Sequence, residues 1–334
     1  MWALSEAALG GVLHALRIPF TGMFIGGSAV IFITLLGVFS SQKGTILRAM
    51  LLVMIVKALV SPHSPPPAYM AIAFQGVIGE FLFRWIRVTR LAALLLALLA
   101  MAQSALQKLI VLTLVFGRNL WESIDLFGNY IIGQFLPETG TLDWSISLFL
   151  ITVYCGLHIL TGLITGLWAP SIAAAVQNEL SQNRLIPPAP QPDADNHQLS
   201  GRKPRPLLKR KGLILLGVIA VSVVVLSYVF PVFEKSKGMA ALIMIIRSVV
   251  LLSLWFFLLA PYLTGKLRTF LSRKQSLYAG EIDQIIKIFP LLKAIVKKSW
   301  QLSGTKKPLK RVHWFIVLAL TQLMSIGINN INDR

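Results

Sequence analysis

Ionisable and amide side chains are rare in the apolar runs of this chain. Each one that occurs there needs an explanation, because a charge in hydrocarbon is costly unless it is paired or put to use. Lys57 lies near one end of the run 45–60, just before the proline-rich stretch SPHSPPP (61–67). Gln103, Gln107 and Lys108 lie in the run 90–117, and Tyr154 and His158 stand one helical turn apart in the run 144–176. Arg247 sits inside a later run. Glu80 is read as the acid at this depth, and an i,i+4 pairing with Arg84 or snorkelling accounts for it. With Arg17 and His63 in the adjoining loops, the residues Lys57, Gln107, Lys108, Tyr154 and His158 form the candidate lining of one outward-facing pocket. Two lysines and an arginine would favour a carboxylate or phosphate on the ligand. The competing reading has the lysines snorkelling to headgroups and His158 making a helix–helix hydrogen bond.

Catalytic constellations do not form. There is no GxSxG, no HExxH and no GxxxxGK[ST], so hydrolysis of a nucleotide would belong to another chain. The five histidines (14, 63, 158, 197 and 313) are scattered, so no metal site is expected. A single acid at membrane depth is poor material for general acid–base work. Neither enzymatic activity nor a cofactor is expected. The one cysteine, Cys155, excludes an intrachain disulfide.

Composition defines what positions these residues. The chain of 334 residues is 55% hydrophobic and 13% charged, with a mean hydropathy of +0.72. Soluble domains carry about 25% charged residues, and a helix of about 20 apolar residues crosses a bilayer core. An all-α, polytopic integral membrane protein follows. Hydrophobic helices are expected at about 3–16, 20–39, 45–60, 67–87, 90–117, 144–176, 212–230, 239–263 and 312–328, which makes about nine. The segment 118–143 reads as an outer loop with one arginine and four acids. The net charge is +19, and 19 of the 32 Lys and Arg fall in 177–211 and 264–311. Basic loops beside spans read as cytoplasmic and favour anionic lipid headgroups. No recognition module accompanies the charge, so nucleic acid is not an expected partner. Met1–Leu16 lacks a basic n-region, so it is not read as a cleavable signal. The Pro-, Asn- and Gln-rich linker 177–211 divides the chain into a six-helix domain, 1–176, and a second membrane domain, 212–334. In this reading the N-terminus and the linker lie in the cytoplasm, and the chain resides in the cell's inner (cytoplasmic) membrane.

Two patterns carry more. In WALSEAALGGVLHAL (2–16), Ala3, Ala7, Gly11 and Ala15 recur at four-residue spacing and leave one helix face bare, which allows close approach of a partner. In YAGEIDQIIKIFPLLKAIVKKSWQLSG (278–304), Ile282, Ile285, Ile286, Phe289, Leu292, Val296 and Trp300 form an apolar face, with Pro290 expected to kink or split the helix. Such an element lies in the membrane interface or docks on a partner.

These patterns resemble the energy-coupling-factor (ECF) vitamin importers. The six-helix half with its alanine stripe looks like a substrate-binding S component. The second half, with its basic amphipathic stretch within 264–311, looks like a shortened T component. The resemblance implies that the stripe docks on the T-like half and that the amphipathic segment couples to a pair of cytosolic ATPases supplied by other chains. It also implies that a small vitamin-like solute binds under the first and third outer loops. The stretch KKSWQLSGTKK (297–307) differs from T components in having no Ala-Arg-Gly triplet. A membrane scaffold without a ligand, recruiting a cytosolic partner through the basic segment, is the alternative.

Overall fold

A computed structural model describes residues 1–10, 13, 16, 20–40, 42–61, 64–135, 145–182 and 237–332. Among them the structure is helical, with no strand. The chain begins with α1 (Trp2–Leu4), which passes into a π-helical turn, Ser5–Leu9. There follow α2 (Thr21–Phe39), α3 (Thr45–Val60), α4 (Pro66–Trp85), α5 (Thr89–Phe116), α6 (Asn119–Phe135) and α7 (Ile146–Ser181). Beyond the linker lie α8 (Lys237–Leu254), a π turn (Trp255–Leu259), α9 (Ala260–Gln275), α10 (Ala279–Leu302) and α11 (Pro308–Asn332). Four helical stretches are long and apolar enough to cross a membrane: Thr21–Phe39, Thr89–Phe116, Ile146–Ser181 and Leu242–Ile286. The chain is a multi-pass membrane protein. The expected helix at 212–230 lies outside the described residues.

Local chemistry sets the helix ends. Gly44 adopts φ +82°, the left-handed conformation that glycine tolerates, and starts α3. The prolines of 61–67 do not only interrupt a helix. Pro66 and Pro67 occupy the first positions of α4, where the missing amide costs nothing. The π turn at Trp255–Leu259 ends two residues before Pro261, whose ring crowds the preceding turn and removes a donor. Residues 118–143, expected as a loop, contain the 17-residue helix α6. Its apolar residues Leu126, Phe127, Ile131 and Phe135 are exposed, as on an interfacial helix.

The described residues fall into two compact units, each drawing on sequence from both sides of the linker. The first comprises those of Met1–Met101, Ile159–Leu199 and Arg268–Arg334. Within it α2, α3 and α4 pack on one another, and α10 packs on α11. In one crossing of this unit, α5 and α7 meet backbone to backbone. A Cβ built on Gly166 would stand 2.7 Å from Leu94 Cα, and one on Gly162 would stand 3.2 Å from the Ala97 carbonyl oxygen. Ala92, Ala93 and Ala97 of α5 and Ala169 and Ala173 of α7 are fully buried. Gly162 and Gly166 thus form a GxxxG contact that lets two backbones meet. The second unit comprises the described residues of Ala102–His158 and Ser200–Leu267, where α6 packs on α8.

Candidate functional site

Lys57 is not a free cation awaiting a ligand. Its Nζ donates to Glu6 Oε2 at 2.8 Å, with the residues 7% and 4% exposed. The π turn Ser5–Leu9 carries Glu6 toward α3, and Ser5 Oγ meets Ser28 Oγ of α2 at 2.8 Å. Glu6, within the first apolar run, is thus a second acid at the depth where the sequence reading places Glu80 alone. The sequence also misassigned Glu80 to its own helix. Its carboxylate accepts from the Gly44 amide at 2.6 Å and the Ile46 amide at 3.2 Å, capping the start of α3.

Gln103, Gln107, Lys108, Tyr154 and His158 belong to the second unit. Gln103 Nε2–H donates to Gln107 Oε1 at 2.5 Å, and Lys108 is exposed. His158 is buried, and its Nδ1–H donates to the Tyr154 carbonyl oxygen at 2.9 Å. The two rings lie 4.4 Å apart. That bond is made within its own helix. Arg17 and His63 lie outside the described residues, as do Gly11 and Ala15 of the stripe. Ala3 and Ala7 are buried, and α1 contacts α3, α2 and α10.

Two further charges in this unit also act at helix ends. Asp125 of α6 accepts from the Ser147 amide at 2.6 Å and the Ser147 hydroxyl at 2.9 Å, which caps α7. These bonds hold its carboxyl below the ordinary carboxylate value. At the other pole, Arg247 Nη2 donates to the Phe116 carbonyl at 3.1 Å and Ser248 Oγ to the Val115 carbonyl at 3.0 Å, closing the C-terminus of α5.

The first unit contains an apolar pocket of about 260 Å³. Trp2, Phe32, Phe39, Leu52, Ile285 and Met324 are among its lining residues. Ser40 also lines it, but its hydroxyl meets Thr45 Oγ1 at 2.8 Å. An apolar cavity of roughly 150 Å³ stays dry and takes a benzene-sized molecule, so this pocket suits hydrocarbon rather than a hydrated anion. Sequence patterning gave no signal for it, because its walls come from distant segments.

The amphipathic segment partly differs from expectation. α10 runs unbroken through Pro290, so it is not split. Ile285 lines the pocket and Leu292 is partly buried, but Val296 and Trp300 are 47% and 45% exposed. The deepest positions are Ile282, Ile295 and Ser299, so the buried face in the second half is turned by one residue. Packing against α11 sets that face. The side chains of Phe289 and Pro290 lie outside the described set. No family model matches the chain, and no curated protein and no solved structure matches it.

Proposed function

We propose that this chain is the membrane subunit of an ECF-like solute importer, not an enzyme, energised by separate cytosolic ATPases. One observation carries the reading. Helix α1, which bears Ala3, lies against α10, the amphipathic helix of the C-terminal half, within one unit. That is the contact a stripe-bearing S-like helix would make with a T-like partner. The apolar pocket beside it, shared by Ala3 and Ile285, supports a largely apolar solute over an anion. Lys57, already neutralised by Glu6, supports the same choice. In this reading the linker 177–211 and the N-terminus are cytoplasmic.

The alternative is a scaffold without a solute, which the exposed cations of the α10–α11 turn favour. The test is purification in mild detergent after expression with the neighbouring genes, followed by mass spectrometry of protein and small molecules. An ATPase pair together with a bound non-lipid solute supports the importer. A chain carrying phospholipid alone, with no ATPase, overturns it in favour of the scaffold.

A further inference from the structure

The turn between α10 and α11 holds two cations on aromatic faces. The Arg311 guanidinium lies 4.1 Å from the centroid of the Trp300 ring, and Phe315 meets the same ring edge-on at 5.4 Å. Arg311 and Phe315 are one turn apart on α11, so they clasp Trp300 of α10 together. Lys306 Nζ stands 5.7 Å from the centre of the Trp314 ring. Stacking fixes a guanidinium without neutralising it. No carboxylate meets Arg311 among the described residues, and its Nε is buried there without a hydrogen-bond partner. Lys297, Lys307 and Lys310 are exposed around the turn, and the sequence has no acid from 284 to 332.

We infer that this turn is a binding site for the phosphate of an anionic phospholipid headgroup. The site pairs Arg311 and Lys306, held by Trp300 and Trp314, with exposed lysines as the outer cations. Charge alone would equally suit an acidic protein. The surface interleaved with the cations decides for lipid, because Val296, Trp300, Leu302 and Val312 are large, apolar and exposed. Indole rings and exposed aliphatics beside cations fit the boundary between headgroups and acyl chains. The inference does not rest on the importer reading.

The test uses the full chain in nanodiscs of equal parts phosphatidylcholine and phosphatidylglycerol, with retained lipids counted by native mass spectrometry. Wild type should retain phosphatidylglycerol in preference. Arg311→Gln with Lys306→Gln should lower that preference roughly 25-fold, at about fivefold per basic residue. Trp300→Leu leaves the charge unchanged and should still weaken the preference, which diffuse surface charge would not do. Arg118→Gln, an exposed cation elsewhere, should leave it intact. Equal retention of both lipids by wild type overturns the site. So does an unchanged preference in either turn variant when thermal unfolding shows that it is folded. Displacement of the lipid by inorganic phosphate at millimolar concentration would reassign the site to a soluble anion.

Discussion

Lys57 and Glu6, 51 residues apart, meet at 2.8 Å in an apolar interior and fasten the N-terminal segment to α3. Breaking a buried pair leaves one charge without its partner, whereas replacing both members with apolar groups can be neutral. Glu6→Gln or Lys57→Met alone should therefore cost about 3–5 kcal/mol. Glu6→Leu with Lys57→Met should recover most of that loss. Thermal unfolding of the purified chain in detergent measures all three, and additive losses in the double variant would count against the pair.

Gly166 and Gly156 lie on the same helix and predict opposite outcomes. A methyl at Gly166 would press on the α5 backbone, so Gly166→Ala should destabilise by about 1–3 kcal/mol. Nothing lies within 4 Å of a Cβ at Gly156, so alanine there should gain up to about 1 kcal/mol from helix propensity. The two melting temperatures should move in opposite directions.

Asp125 makes the second unit sensitive to acid. Its carboxyl is held below the ordinary value chiefly by the Ser147 amide, and the two serine hydroxyls add to this. A depressed folded-state pKa stabilises above the unfolded value, and that contribution is lost as pH falls through the folded one. The protection factor of the Ser147 amide, its exchange corrected for the intrinsic rate at each pH, should fall across this acid window in wild type. In Asp125→Asn it should already be lower at neutral pH and change less with acidification.

Arg247 closes the end of α5 at a turn where Gly117 has φ +75°. Arg247→Met keeps the apolar stem and removes the charged donor to Phe116. A cost of about 1.5–3 kcal/mol is expected, with faster exchange confined to the second unit. Uniform loss of protection across both units would argue against a local cap.

Hydropathy and helix breakers made α2, α3, α4, α5 and α7 legible, because each is an apolar run bounded by glycine, proline or serine, or, between α4 and α5, by the arginines of RWIRVTR (84–90). α6 was missed because Glu122 and Asp125 made its segment resemble a loop, although Trp121, Ile124, Phe127 and Ile131 follow helical spacing. The close-packing glycines are readable as GLITG (162–166), a small-residue pair like the alanine stripe at the N-terminus. The partners of Lys57, Glu80 and Asp125 were not legible. Each is a contact between separate helices, and single-sequence spacing speaks only for one helix at a time. Likewise, the pocket draws on residues as distant as Trp2 and Met324.

The separation of Glu6 from Lys57 has a consequence for biosynthesis. At about 5–20 residues per second, roughly 3–10 s pass between the synthesis of the acid and that of its counter-charge. Until then Lys57 cannot offset the desolvation of the Glu6 carboxylate, so burial of the N-terminal segment is deferred to the arrival of α3. Glu6 is therefore made before it can be seated, and a ribosome stalled before Lys57 should leave Glu6 accessible to water-borne carboxyl reagents.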